Sequence, residues 1–152
     1  MTKSLRDVLI SDEESREAFV VQARAVLDDE VRSKRGPTGV MLKGAYKTVN
    51  AVHATFVNGV IRVLLPDFLD RMQPHWDAFA SSGQPDFGQF LAGQGDEAAD
   101  ALLAVVDARA EASSYRSVAK LYGQLRGQGH KHVVLALPAV GALIQREMRK
   151  SV

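Results

Sequence analysis

The 152-residue chain contains no cysteine, which excludes disulfides, thiolate chemistry and cysteine metal sites. It also lacks a long hydrophobic run. The longest apolar stretch, Val133 to Ile144, has 12 residues and includes Pro138 and Gly141, whereas a membrane-spanning helix needs roughly 20. The opening residues, MTKSLRDVLISDEE, place acids where a signal peptide needs an apolar core. A cytoplasmic, non-transmembrane protein is expected. No segment alternates apolar and polar residues between hairpin turns, so strands are not expected, and no fixed-period repeat is present. Glycine and proline stand at isolated positions, not in tracts. What remains is an ordinary globular balance, 46% apolar and 24% charged. A single helical domain over residues 1–152 is expected, with residues 1–10 as a loosely packed N-terminal turn.

Acidic residues are absent from one long segment. Residues 31–66 carry six basic side chains and no acidic one, and 113–152 carry seven basic and one acidic. The intervening blocks have the opposite sign: four basic against eight acidic over 1–30, and two against nine over 67–112. The total is only +1, so the pattern carries the information. Acidic and basic helices lying side by side is the plain reading; a basic surface facing an anionic partner is the functional one.

Helical periodicity dominates the remainder. Ser11 and Glu14 have the spacing of a capping box. Ala18, Phe19, Ala23, Val26, Leu27 and Val31 follow at three- and four-residue steps, and Gly36-Pro37 ends the helix. A second helix spans about 38–52, with Leu42, Ala45, Tyr46, Val49 and Val52 inward and Lys43, Lys47 and Asn50 outward. A third starts near Thr55, is broken or kinked at Pro66, and restarts at Pro74. Ser81 to Pro85 reads as a loop. A short turn of helix over 86–91 precedes helices capped by Asp96 and Ser114. Gly127-Gln128-Gly129 separates the latter from a last helix at about 131–149. The expected architecture is an all-α compact bundle of about six helices with short loops.

Motifs with chemistry are few. His53, His75, His130 and His132 include no i, i+4 pair, so no helical metal site is read. There is no Glu-x-x-His, no Gly-x-Ser-x-Gly elbow and no dinucleotide fingerprint. No catalytic residue and no cofactor are assigned. The best candidate site is basic. Arg126, His130, Lys131 and His132 surround a Gly-x-Gly that reads as a helix start, where free N–H groups attract an anion. Lys43 and Lys47, with Arg32, Lys34 and Arg35, form a second basic set; were the two sets to converge, they would make an anion-binding surface suited to a small molecule or to anionic lipid heads. Neither set has interleaved aromatics, which disfavours nucleic acid.

Leu42-Lys43-Gly44-Ala45-Tyr46-Lys47, Leu64-Leu65-Pro66, Asp107-Ala108-Arg109, and Lys131-His132-Val133 with Pro138 resemble a family of small helical proteins, mostly actinobacterial, classed as a domain of unknown function. That resemblance implies a helical, cytoplasmic protein and carries over no activity, cofactor or partner. The leading expectation is therefore a non-enzymatic interaction module. It would self-associate as a homo-oligomer or dock a protein partner through an apolar patch of Val40, Met41, Val57 and Val63. Anion or small-molecule binding by the basic set is the alternative, and peripheral association with anionic membranes a weaker one.

Overall fold

In the computed structural model, which describes residues 4–111 and 116–150, every regular element is a helix. Seven are present: α1 (Leu5–Leu9), α2 (Glu13–Ser33), α3 (Gly36–Val52), α4 (Phe56–Ser82), α5 (Phe87–Gly93), α6 (Gly95–Glu111) and α7 (Arg116–Lys150). The cap of α2 is Asp12, whose carboxylate accepts from the Ser15 amide at 2.7 Å; the capping box expected at Ser11 lies one residue too early. Gly36-Pro37 opens α3 and does not close α2, because proline at the first helical turn forfeits an N–H that has no partner anyway. The cap expected at Ser114 lies outside the described residues.

Two expected breaks are absent. α4 runs unbroken through Pro66 and Pro74. It buries Leu64, Leu65, Leu69, Met72 and Phe79, and at about 1.5–3 kcal/mol each these outweigh the roughly 3 kcal/mol that each interior proline costs. α7 likewise passes through Gly127-Gln128-Gly129 and Pro138 as one helix of 35 residues. The glycines weaken the helix locally, by about 1 kcal/mol each, without dividing it. So the helix start inferred at Lys131 does not exist.

The core joins Leu5, Leu9, Ile10, Phe19, Val20, Leu65, Leu69, Met72, Phe87, Leu91, Leu137 and Ile144. Leu5 is fully buried and its amide donates to Gln73 Oε1, so α1 is built into the core where a loose turn was expected. An aromatic group of Trp76, Phe79, Phe87 and Phe90 closes one end, with Phe87 set edge-on to Trp76 at 4.9 Å. The α5–α7 seam is closer still. A Cβ on Gly88 would meet the Pro138 carbonyl oxygen at 2.5 Å, and one on Gly141 would meet the Gly88 Cα at 2.6 Å. Two backbones touch there with no side chain between them.

Part of the charge pattern cancels as its plain reading anticipates: Arg62 and Arg126, from the basic blocks, pair across helices with Glu17 and Asp107 of the acidic ones. Arg6 with Asp70 and Arg109 with Asp67 also join different helices, but among residues of the acidic blocks. These pairs are half-exposed, where an ion pair adds little net stability.

Candidate functional site

α3 is the element that the rest of the fold covers least. Its inner side is held by a polar knot. Arg24 of α2 donates to Asp28 Oδ1 at 3.0 Å, to Asn50 Oδ1 at 2.9 Å and to Asn58 Oδ1 at 2.8 Å, so one guanidinium ties α2, α3 and α4 together. The Tyr46 hydroxyl donates to the same Asp28 oxygen, and its ring lies 5.6 Å from the guanidinium. Burial, followed by the hydrogen bond to Asp28, pushes the Tyr46 phenol up to about 12. Asn50, expected on the outer face, is therefore an inward, bonded residue.

The outer side of α3 is open. Val40 is 70% exposed, Met41 49%, and Val52 68% at the corner where the chain turns through 103° into α4. Val63 of α4 is also exposed, but Val57 is buried. The expected patch thus loses Val57 and gains Val52, since the bend resets the helical phase between the two elements. Lys43 and Lys47 flank the patch, and neither has an ion-pair partner among the described residues. Gly44 lies between them with nothing within 4 Å of the place a Cβ would occupy.

A second feature sits at the N-terminal end of the same helix. A cleft of about 570 Å³ is lined by Glu30, Ser33, Lys34, Arg35 and Pro37 from the α2–α3 connection, and by Gln128, Lys131, His132 and Leu135 from α7. Two glycines shape it. Gly36 takes φ +77°, and Gly39 lets α3 lie against Lys34, whose carbonyl carbon would stand 2.7 Å from a Cβ. Lys34 is 9% exposed, with Nζ 3.5 Å from Glu30 Oε2. Both ring nitrogens of His132 are buried and have no hydrogen-bond partner among the described residues. Burial, with the charges of Lys34 and Lys131 adding to it, holds His132 below its usual value near 6.5.

The six residues proposed from sequence as an anion site are thus divided. Lys131 and His132 line the cleft. Arg126 is engaged by Asp107 through two hydrogen bonds. His130 Nε2 faces Asp100 at 3.3 Å and Asp96 at 3.6 Å. Lys43 and Lys47 lie outside the cleft, on the open face of α3. Lys34 and Arg35 take their place, so the two basic segments do meet, at 34–35 and 131–132. Sequence reasoning named both segments but missed the register, because it read a helix break at Gly127–Gly129. Among the described residues no three His, Asp or Glu side chains gather to hold a metal ion. No single described helix is long and apolar enough to cross a membrane.

Fold and surface together define a small all-helical protein with an open, basic and apolar helix face and a basic cleft at its end. The chain belongs to a family of unknown function (DUF6918), whose model matches residues 5–148. No curated protein and no solved structure matches the chain.

Proposed function

We propose that this protein is a non-enzymatic interaction module whose docking face is the outer side of α3, and that its partner is an amphipathic helix of another protein, rimmed with acids. The exposure of Val40, Met41 and Val52 beside Lys43 and Lys47 carries this reading. Exposed apolar side chains raise the free energy of the protein in water, and a partner that covers them lowers it by about 25 cal/mol per Å². The flanking lysines choose the partner's charge. A two-fold dimer through the same face sets lysines against lysines, which disfavours a second copy. A membrane surface prefers Trp, Phe and Leu, whereas beside Met41 this face offers only valines, Ala51, Thr48 and Gly44. Small residues with open space above them suit the close approach of another helix.

The test is a photo-crosslinking amino acid placed at Met41 in cells that make the protein, with the exposed Ala104 of α6 as the control position. The expected product joins Met41, and not Ala104, to an acid-rich helical segment of another protein. It disappears in Gly44→Trp and in Lys43→Glu/Lys47→Glu, both of which keep their helical circular dichroism. Crosslinks to a second copy of this chain, crosslinks to lipid alone, or products indifferent to those variants overturn the proposal.

A further inference from the structure

The cleft at the start of α3 is a different feature from the open face, and its chemistry asks for a different occupant. We infer that it binds a small phosphate-bearing molecule as a dianion. Three cations line the cleft, Lys34, Arg35 and Lys131, together with one carboxylate, Glu30. The lining therefore carries two positive charges in excess, the complement of a phosphomonoester. α3 begins at this wall without a side-chain cap and without an acid in its first turn, so its leading N–H groups lack an internal acceptor and its dipole favours negative charge there.

A helix start alone is a weak argument, and two further observations point the same way. The Lys34 side chain is nine-tenths buried, yet its hydrogen bond to Glu30 Oε2 spans 3.5 Å, longer than a good charge-assisted bond. Buried cations in folded proteins are normally paired and hydrogen-bonded more closely than this. In the opposite wall, both ring nitrogens of His132 are buried and have no hydrogen-bond partner among the described residues, the kind of unsatisfied polar group that a ligand or ordered water completes. The volume, about 570 Å³, falls within the range of small-molecule sites and exceeds what a bare phosphate fills, so an organic group attached to the phosphate has room beside Pro37 and Leu135. The shape is also built: Gly36 and Gly39 both adopt geometry that a side chain would oppose.

The test is amide and histidine-ring NMR of the full chain titrated with glycerol 3-phosphate, with succinate as a dianionic control lacking phosphorus. Saturable shifts at Gly36, Gly39 and the His132 ring are expected with glycerol 3-phosphate, and at least tenfold weaker ones with succinate. Arg35→Gln and Lys131→Gln remove exposed side chains and leave Lys34 in place, so the fold is retained; each is expected to weaken binding about tenfold. Gly44→Trp is expected to leave it unchanged, which separates this site from the docking face. Shifts that never saturate, that spread to Lys43 and Lys47, or that succinate matches overturn the inference.

Discussion

At the scale of single residues, the glycines separate into two kinds that respond to a methyl group in opposite ways. Gly88 and Gly141 lie where α5 and α7 touch backbone to backbone, with Pro138 completing the contact. A Cβ at either position must push the helices apart, and overpacking of that kind costs about 1–3 kcal/mol. Gly44 is helical, exposed and unobstructed, so Gly44→Ala removes only the entropic penalty of a helical glycine and gains about 0.5–1 kcal/mol. Urea denaturation of the three alanine variants is expected to show the midpoint falling for Gly88→Ala and Gly141→Ala and rising for Gly44→Ala. A fall at Gly44 would mean that the outer face of α3 is already covered within the monomer.

At the scale of elements, α3 depends on its tie to α2. The Tyr46 hydroxyl and the Arg24 guanidinium share Asp28, and the phenol ionises only near 12 in the folded protein against about 10 in an unfolded chain. Because the folded value is the higher, the contribution is full below pH 10 and is lost as pH rises through 12. Thermal melts between pH 9 and 12 are expected to show a falling midpoint, and Tyr46→Phe, already lacking the bond, a shallower fall. Much of this element was legible in sequence: Leu42, Ala45, Tyr46 and Val49 are turned inward as their spacing indicates, and the lysines outward, but Val52, expected inward with them, is exposed at the bend into α4. The Asn50 contact was not, because a polar residue on the helix boundary reveals its partner only when Arg24 arrives from another element. The same limit explains α4 and α7. A proline or a Gly-x-Gly is a local signal, but whether it ends a helix depends on how much apolar surface the continuous helix buries elsewhere. Misreading the break before Lys131 then shifted the candidate site: the basic segments were visible in the sequence, whereas the pairing of Arg126 with Asp107 and the placing of His132 in one cleft with Lys34 depend on the phase of one uninterrupted α7.

Across the whole molecule, acid is expected to act in two stages. His132 is held below its usual value near 6.5, so the unfolded chain takes up that proton first. Its contribution is complete above pH 6.5 and declines as pH falls from there toward the lowered folded value. The groups facing it are Lys34, Arg35 and Glu30 from the α2–α3 connection and Lys131 on its own helix. Burial pushes Asp28 up, but its bonds to Tyr46 and Arg24 together outweigh that and hold it below its usual 3.8, and bonds to Arg126 and Tyr122 hold Asp107 below the same value. Their stabilisation is present above that value and is lost as pH falls through the lower folded one. Circular dichroism from pH 8 to 2 is expected to show a shallow decline in thermal stability beginning near 6.5 and a steeper one below 4. His132→Leu is expected to flatten the first stage and leave the second; an unchanged first stage would place its origin elsewhere.

The bare seam between α5 and α7 also bears on the protein's history. Where two side chains meet, a lineage can trade a large residue on one partner for a smaller one on the other and pass through working intermediates. Gly88 and Gly141 have nothing left to give up, and the third participant is the carbonyl of Pro138, which no substitution removes. Drift at this joint is therefore blocked from both sides at once. Descendants escape it only by moving α5 bodily, and with it Phe87 and Leu91, two of the side chains most deeply enclosed in the protein.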